Sequence, residues 1–267
     1  MSTQTANAPV IDQAVETVTY EQPLSERMRT FLRLEFLAQQ TNHHSLQTSI
    51  WSSRAAVAGL LEILTILGRG DIRAEVMKEL ERQSTSLEPF CDRADVDSAR
   101  LQTLLERVGR LRTQLTELGA HYAQPLRESE FLSAIKHRSA IPGGTCEFDL
   151  PDFKHWLNLP YEERVGDFQA WFSSIKPLCD SVAQLLWLTR EGSPGLPQMA
   201  LKGMFQHSLE RGSPCQLLRV SLPAPALVYP EISGSQHRFT VRFYSWAGID
   251  GRPAQVTDDV DFLLACC

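Results

Sequence analysis

The sequence predicts an α+β fold in which a mainly helical domain is followed by a small antiparallel β domain. In the long N-terminal part of the chain, apolar residues recur at three- and four-residue steps, which is typical of amphipathic helices. In Arg238–Tyr244 the pattern changes to strict alternation, which places Phe239, Val241 and Phe243 on one face of a strand. The linkers between the predicted strands are too short for helical crossovers, so we expect the strands to pair antiparallel.

The chain divides into three segments by composition and hydrophobic pattern. We expect residues 1–16 to form a disordered tail, because they are polar and Ala-rich. The mainly helical domain is predicted to span residues 17–195, although its first strand, residues 17–22, could join the sheet. The β domain is predicted to span residues 196–267. Its strands are predicted at Met199–His207, Cys215–Leu222, Arg238–Trp246 and Val260–Cys266.

Hydrophobic periodicity defines the helices of the first domain. It predicts helices over residues 24–40, 46–67, 71–87, 101–118, 126–139, 161–175 and 177–190. Residues 42–45 are predicted to form a polar connection. Gly68 and Gly70 are predicted to end the second helix in the left-handed conformation that glycine adopts easily.

The fourth predicted helix has the most regular pattern. Its apolar residues follow a heptad over nearly three repeats, at Leu101, Leu104, Val108, Leu111, Leu115 and Leu118. One interpretation is an antiparallel hairpin packed on the third helix. The other is a helix that also joins two subunits, and the sequence pattern leaves both open.

Composition and charge exclude several classes of protein. The net charge of −6 argues against a broad DNA-binding face, because binding phosphates requires clustered Lys and Arg. No run of about 20 apolar residues occurs, so we expect no membrane span. The sequence after Met1 has neither a basic start nor an apolar block, so we expect no secretory signal. The six cysteines are therefore expected to be reduced thiols in the cytoplasm.

The stretch Ile141–Pro160 has the highest density of reactive side chains. Cys146 and His155 could form a nucleophile and base, as in a cysteine hydrolase. No nucleophile motif surrounds this cysteine, so we expect a structural thiol instead. The adjacent Cys266 and Cys267 are not expected to bind zinc, because neighbouring thiols rarely reach one tetrahedral ion together.

Three carboxylates in the same stretch could act as acid and base or bind a metal. Glu147, Asp149 and Asp152 lack the regular oxygen spacing and the turn glycine of a hard-metal loop. We therefore expect no metal and no cofactor. Instead, Asp149 or Asp152 is predicted to cap a short helix that contains Trp156.

Basic residues near turns and on the alternating strand form a second candidate site. They are Arg69, Arg73, Arg127, Lys154, His155, Arg238 and Arg242. Arg238 and Arg242 share a face if their strand is regular. If these residues converge, they form a local positive groove suited to an acidic peptide. If they do not converge, they are separate solvated side chains, and spacing alone does not decide between the two.

Four segments of the chain resemble the ZapD family, the Z-ring-associated protein D of bacterial cell division. They are Tyr20–Leu37, Ile141–Leu157, Tyr229–Phe243 and Asp261–Cys267. Within them, IPGG-x-C-x-FDLP, YP-x-ISG and a terminal ACC form an unusual combination. The resemblance covers nearly the whole chain, from about Tyr20 to the last residue.

The resemblance implies a cytoplasmic, non-enzymatic protein located at midcell with the Z-ring. Members of the family bind the tubulin-like GTPase FtsZ, mainly through its flexible C-terminal tail. They crosslink and bundle FtsZ protofilaments, which promotes Z-ring assembly and reduces GTPase activity. The resemblance also implies a two-fold homodimer of a helical and a β domain. It implies no nucleic-acid partner, no direct membrane insertion and no cofactor.

The resemblance also assigns the basic residues to a binding site for FtsZ. In the family these residues line a pocket between the domains, and the matching positions here are Arg69, Lys154, Arg238 and Arg242. The nearby Arg73 and Arg127 are included in the predicted FtsZ-binding set. One basic position of the family is occupied here by Glu130, so the pocket is predicted to be less positive or shifted. The alternative function is an adaptor that binds nucleic acid or another acidic partner through the same groove.

Overall fold

The computed structural model describes residues 16–91, 93, 95–210 and 212–267. The predicted disordered tail lies outside these residues, except for Glu16. The described chain contains both helices and antiparallel sheets, which confirms the α+β class. The chain forms two compact units. We call Glu26–Glu191 the helical unit, and residues 16–25 together with Gly192–Cys267 the β unit.

The helical unit is built around a layer of long helices. In the described residues they are α1 (Glu26–Ser45), α2 (Ile50–Leu67), α3 (Ile72–Leu87), α4 (Ser98–Leu118), α5 (Gln124–Glu128), α6 (Glu130–Ser139), α7 (Pro151–Leu157), α8 (Tyr161–Ser173) and α9 (Lys176–Glu191). A single 3-10 turn, Glu88–Phe90, follows α3. The fully buried side chains of this unit include Phe31, Leu60, Ile63, Leu80, Leu115 and Leu185. They come from α1, α2, α3, α4 and α9, which are linked to one another by direct packing.

The ends of the first two helices differ from the sequence-based prediction. Residues 42–45 continue α1 instead of forming a polar connection. The chain enters α2 at Ser49, whose hydroxyl accepts a hydrogen bond from the N–H of Trp51 at 3.2 Å. The predicted left-handed end of α2 is wrong, because Gly68 has a φ of −80° and Gly70 also lies outside the left-handed region.

Two further predictions in the helical unit are wrong for local reasons. The helix predicted over residues 126–139 is two helices, because Ser129 adopts an extended conformation (φ −61°, ψ 113°) and its hydroxyl caps α6. Neither Asp149 nor Asp152 caps α7. Leu150 occupies the N-cap position without a side-chain hydrogen bond, and the proline that follows it needs no N–H partner.

The heptad face of α4 is buried inside the helical unit. Leu101, Val108, Leu111 and Leu115 are buried, and α4 packs against α3 and α9. This confirms the hairpin interpretation of the heptad. The apolar face of α4 is thus occupied by the chain's own helices.

Helix α2 is the most apolar helix of the described chain. By length and composition alone, Ile50–Leu67 could cross a membrane, but half of it is buried within the structure. It packs closely against α1, and the approach depends on Gly59. A Cβ atom at this position would overlap with Oγ1 of the buried Thr41. Burial of this kind is typical of the core helix of a globular domain.

In its described residues, the β unit contains two antiparallel sheets of four strands each. Its strands are β1 (Thr17–Pro23), β2 (Leu196–Ala200), β3 (Met204–Ser208), β4 (Leu217–Pro223), β5 (Val228–Gly234), β6 (Arg238–Ser245), β7 (Ala254–Gln255) and β8 (Val260–Cys266). Sheet A has the order β1-β4-β8-β2. Sheet B has the order β3-β6-β5, and β7 pairs with β6. Strand β1 therefore pairs with a strand from the far end of the sequence.

The strand predicted at Met199–His207 is two strands that belong to different sheets. Lys202 (φ 52°) and Gly203 (φ 68°) turn the chain between β2 and β3. A side chain at Gly203 would collide with the carbonyl of Val256, so this turn requires glycine. The sequence pattern also missed β5 and β7, the strands that precede and follow β6 in the sequence. Strand β7 is only two residues long.

The inward faces of the strands form one hydrophobic cluster in the β unit. Phe239, Val241 and Phe243 of β6 are buried in it, as predicted from their alternation. Val220 of β4 and Phe262 of β8 belong to the same cluster. The alternate residues of β6 therefore point away from this cluster, and this fixes where its arginines lie.

Candidate functional site

The arginines of β6 line a polar groove on the outer face of sheet B. Arg238, Thr240 and Arg242 alternate with the buried aromatic residues of the strand. They line a groove of about 610 Å³. Arg238 is exposed and Arg242 is half-buried. The structure therefore brings these two predicted site residues together on one face.

The neighbouring strands add hydrogen-bonding side chains to this groove. Gln206 and Ser208 of β3 lie opposite Thr240 and Arg238 in the register, and Ser233 of β5 lies on the other side of Thr240. All three also line the groove. Two guanidinium groups among hydroxyl and amide groups can bind carboxylates, because charge-assisted and bidentate hydrogen bonds favour such pairs. We refer to this surface as the sheet B groove.

Three other predicted site residues lie at one corner of the helical unit, where α2 ends and α3 begins. Arg69 follows α2 and is exposed. Arg73, in the first turn of α3, donates to the carbonyl of Leu115 at 2.9 Å. Arg127 donates to the carbonyl of Leu67 at 2.8 Å.

The hydrogen bonds of Arg73 and Arg127 have a structural role that the sequence had not predicted. Each guanidinium binds a carbonyl in the last turn of a helix, and such carbonyls have no partner within their own helix. Tyr122 lies within the electrostatic range of both arginines, and burial raises the pKa of its hydroxyl to about 12. Arg69 and Arg127 are exposed, whereas Arg73 is half-buried.

Lys154 lies on the exposed side of α7, where it forms an ion pair with Glu147. The hydrogen bond and the positive charge of Lys154 hold the pKa of the Glu147 carboxyl below its usual range. Both side chains are well exposed to solvent. An exposed ion pair of this kind is easily exchanged for another carboxylate.

Arg54 is a basic residue of this region that the sequence analysis missed. Its guanidinium donates to the carbonyl of Thr145 at 2.8 Å and lies 5.0 Å from the ring centroid of Phe153 and 5.7 Å from that of Trp51. Its charge also contributes to the lowered pKa of Glu147. The available signal in the sequence was a tryptophan three residues before an arginine on a largely apolar helix. Lys154 therefore has a second cation nearby.

Glu130, where the resemblance predicts a departure from the family pattern, lies at the start of α6. Glu130 is exposed in the first turn of this helix, where a carboxylate interacts favourably with the helix dipole. Arg127, three residues earlier, already donates to a backbone carbonyl. The net positive charge at this corner is therefore lower than the predicted set of arginines alone would give.

Cys146, the candidate nucleophile in residues 141–160, has structural contacts. The thiol of Cys146 donates to the carboxylate of Asp149 at 3.5 Å. The same carboxylate pairs with Arg138 at 3.3 Å. These contacts hold the loop before α7 against the end of α6. The thiol thus has a structural partner, as the sequence analysis expected.

Comparison with known proteins supports a single family. The profile of the ZapD family, described as a cell division protein, matches residues 32–242. A cell division protein ZapD of Methylococcus capsulatus is 38% identical over 250 residues, covering 94% of this chain and 98% of its own. ZapD proteins of Coxiella burnetii and Escherichia coli are each 34% identical, with the same coverage of both chains. Matches of this length span both units described above. The chain therefore belongs to the ZapD family of cell division proteins.

Proposed function

We propose that this protein binds FtsZ through the FtsZ C-terminal tail and crosslinks and bundles FtsZ protofilaments. Bundling would promote Z-ring assembly and reduce the GTPase activity of FtsZ. The protein would act in the cytoplasm at midcell, as a binding protein rather than an enzyme. Its membership of a cell division family supports this role.

The sheet B groove is the observation that carries the proposal. It is an open surface, lined by Arg238 and Arg242 and by uncharged hydrogen-bonding groups. A flexible tail with acidic side chains can lie along such a surface. Hydrogen bonds donated by the arginines then replace the water bound to the carboxylates of the tail. On a chain with a net charge of −6, this local concentration of positive charge also directs an acidic peptide to one face.

Bundling requires at least two tail sites in one particle. A two-fold homodimer supplies them, with one groove on each subunit. Each contact can be weak, because a filament presents many tails and the second contact forms at a high effective concentration. Such a particle joins two filaments without a catalytic step.

The test is co-sedimentation of FtsZ filaments with the Arg238→Glu/Arg242→Glu variant. We expect the pelleted fraction of bundles to fall severalfold, because reversing both charges repels the tail. The matched control is Lys202→Glu/Arg252→Glu, which makes the same change of net charge at exposed positions of the β unit outside the groove. This control should bundle FtsZ like the unmodified protein.

Equal bundling by the two double variants would remove the sheet B groove from the site. Circular dichroism of both variants shows whether they remain folded. A gel shift with single- and double-stranded DNA at physiological salt tests the alternative adaptor function. Binding of DNA that Arg238→Glu/Arg242→Glu abolishes, together with unchanged FtsZ bundling, would favour that adaptor.

A further inference from the structure

Three cysteines gather at one end of sheet A, where strands β4 and β8 lie side by side. Cys267 and Leu217 exchange two backbone hydrogen bonds, of 2.8 and 2.9 Å. Cys266, the last residue of β8, lies opposite Leu218 in the register. Cys215 lies just before β4, and its side chain is close enough to that of Cys266 for each thiol to influence the ionisation of the other. The pairing of the strands thus brings together thiols from distant parts of the sequence.

The thiols of Cys215 and Cys266 have different environments. Cys266 is exposed, whereas Cys215 is buried in the hydrophobic cluster of the β unit. The thiolate of Cys266 can accept a hydrogen bond from Cys215, and this lowers the pKa of Cys266 to about 7. The same contact and burial raise the pKa of Cys215. At neutral pH the accessible sulfur is therefore the one that ionises first, and the thiolate is the reactive form of cysteine.

The third thiol at this end of the sheet is less suited to react. Burial raises the pKa of Cys267, although hydrogen bonding to Ser193 partly opposes this effect. The buried Cys179 of α9 is held protonated by burial in the same way, with a pKa of about 12. Cys91 is exposed, at the end of the 3-10 turn in the helical unit. These residues provide internal comparisons for Cys215 and Cys266.

We propose that Cys266 and Cys215 form a redox-reactive dithiol, in which Cys266 attacks a small-molecule disulfide such as oxidised glutathione and Cys215 then closes an internal disulfide. In the first step, the Cys266 thiolate bonds to one sulfur of the small disulfide. The other sulfur leaves and takes up a proton. In the second step, Cys215 loses its proton and attacks Cys266 Sγ, and the second small thiol leaves. Two protein thiols are oxidised, and one small disulfide is reduced to two thiols.

The internal disulfide would connect the start of β4 to the end of β8. The bond requires the two neighbouring sulfur atoms to approach to about 2.05 Å. It would close a loop that contains every strand from β4 to β8 and would constrain the unfolded β unit. Disulfides in a reducing compartment are usually transient, so this pair would respond to oxidants rather than serve as a permanent crosslink. The inference does not depend on FtsZ binding.

The test is intact-protein mass spectrometry of the full chain after incubation with oxidised glutathione at neutral pH. The unmodified protein should lose the mass of two hydrogen atoms, and peptide mapping should show a Cys215–Cys266 bond. Cys215→Ser should stop at a mixed disulfide of glutathione on Cys266. Cys266→Ser should form no internal disulfide. Cys91→Ser should behave like the unmodified protein.

Two further measurements test the dithiol in ways that a folding defect of the Ser variants would not mimic. Phenylarsine oxide bridges two close thiols without oxidation, so it should bind the reduced unmodified protein tightly and bind both Ser variants at least tenfold more weakly. Oxidation should raise the thermal midpoint of the unmodified protein by several degrees and leave that of Cys266→Ser unchanged. A bond that maps to Cys266–Cys267, or a mixed disulfide on Cys266 that persists although Cys215 is present, would overturn the proposal.

Discussion

At the scale of single residues, the exposed ion pair of Lys154 with Glu147 determines how much positive charge α7 offers to a partner. An acidic tail that binds here must replace the Glu147 carboxylate. Glu147→Gln should therefore raise the affinity for the FtsZ tail peptide, on the order of twofold, because exposed ion pairs are weak. Fluorescence anisotropy of a labelled tail peptide measures this change.

Two variants of the same stretch act as controls for this prediction. Lys154→Glu should weaken peptide binding, and Cys146→Ser should leave it unchanged. If Glu147→Gln and Lys154→Glu both bind the peptide like the unmodified protein, Lys154 is not part of the site.

The roles of single arginines could be predicted only in part from the sequence. The alternation of β6 correctly placed Arg238 and Arg242 on one face, because strand geometry is local. The sequence could not show that Arg73 and Arg127 bind helix carbonyls, because their partners are 42 and 60 residues away. Long-range partners of this kind are set by packing and leave no periodic signal.

At the scale of secondary-structure elements, the contact between α1 and α2 provides a second prediction. In the described part of the chain, Oγ1 of Thr41 is buried without a hydrogen-bond partner. Gly59→Ala would place a methyl group against this oxygen. We expect the free energy of unfolding to fall by about 1–2 kcal/mol, because overpacking outweighs the better helix propensity of alanine. Urea denaturation monitored by circular dichroism measures this effect.

The double variant Thr41→Ala/Gly59→Ala separates overpacking from other effects. Removing the hydroxyl makes room for the new methyl group and also removes a buried polar atom without a partner. The double variant should therefore regain the lost stability to within about 0.5 kcal/mol. If it is as unstable as Gly59→Ala alone, close approach to Thr41 is not why glycine is needed.

Most helices could be predicted from their periodicity, whereas their breaks and several strands could not. The break at Ser129 depends on a side chain that caps α6 in preference to continuing the preceding helix. The turn at Lys202 and Gly203 lies inside an otherwise strand-like segment. In both places a local conformation overrides a continuous hydrophobic pattern. The resemblance to a family, by contrast, depended on several distant segments together.

At the scale of the whole molecule, net charge and local charge have opposite signs. The chain carries a net charge of −6, yet the proposed site is cationic. Raising the ionic strength from about 0.01 M to about 0.15 M shortens the screening length from ~30 Å to ~8 Å. Affinity for the FtsZ tail peptide should therefore fall as salt rises, and titration by fluorescence anisotropy at each salt concentration measures the slope.

The Arg238→Glu/Arg242→Glu variant provides the comparison for salt dependence. Its remaining affinity should depend less steeply on salt than that of the unmodified protein, because two attractive charges have been reversed. A salt-independent affinity of the unmodified protein would show that apolar contacts, rather than charge, hold the tail.

The pairing of β1 with β4 has a consequence for the way the protein is made. The hydroxyls of Thr19 and Ser221 hydrogen-bond at 2.7 Å although 202 residues separate them. All of Glu26–Glu191 leaves the ribosome between these two strands, and this segment forms a compact unit of its own. The helical unit can thus fold during synthesis, before the strand that pairs with β1 has been made. The β unit can be completed only after β8, the neighbour of both β4 and β2, has been synthesised.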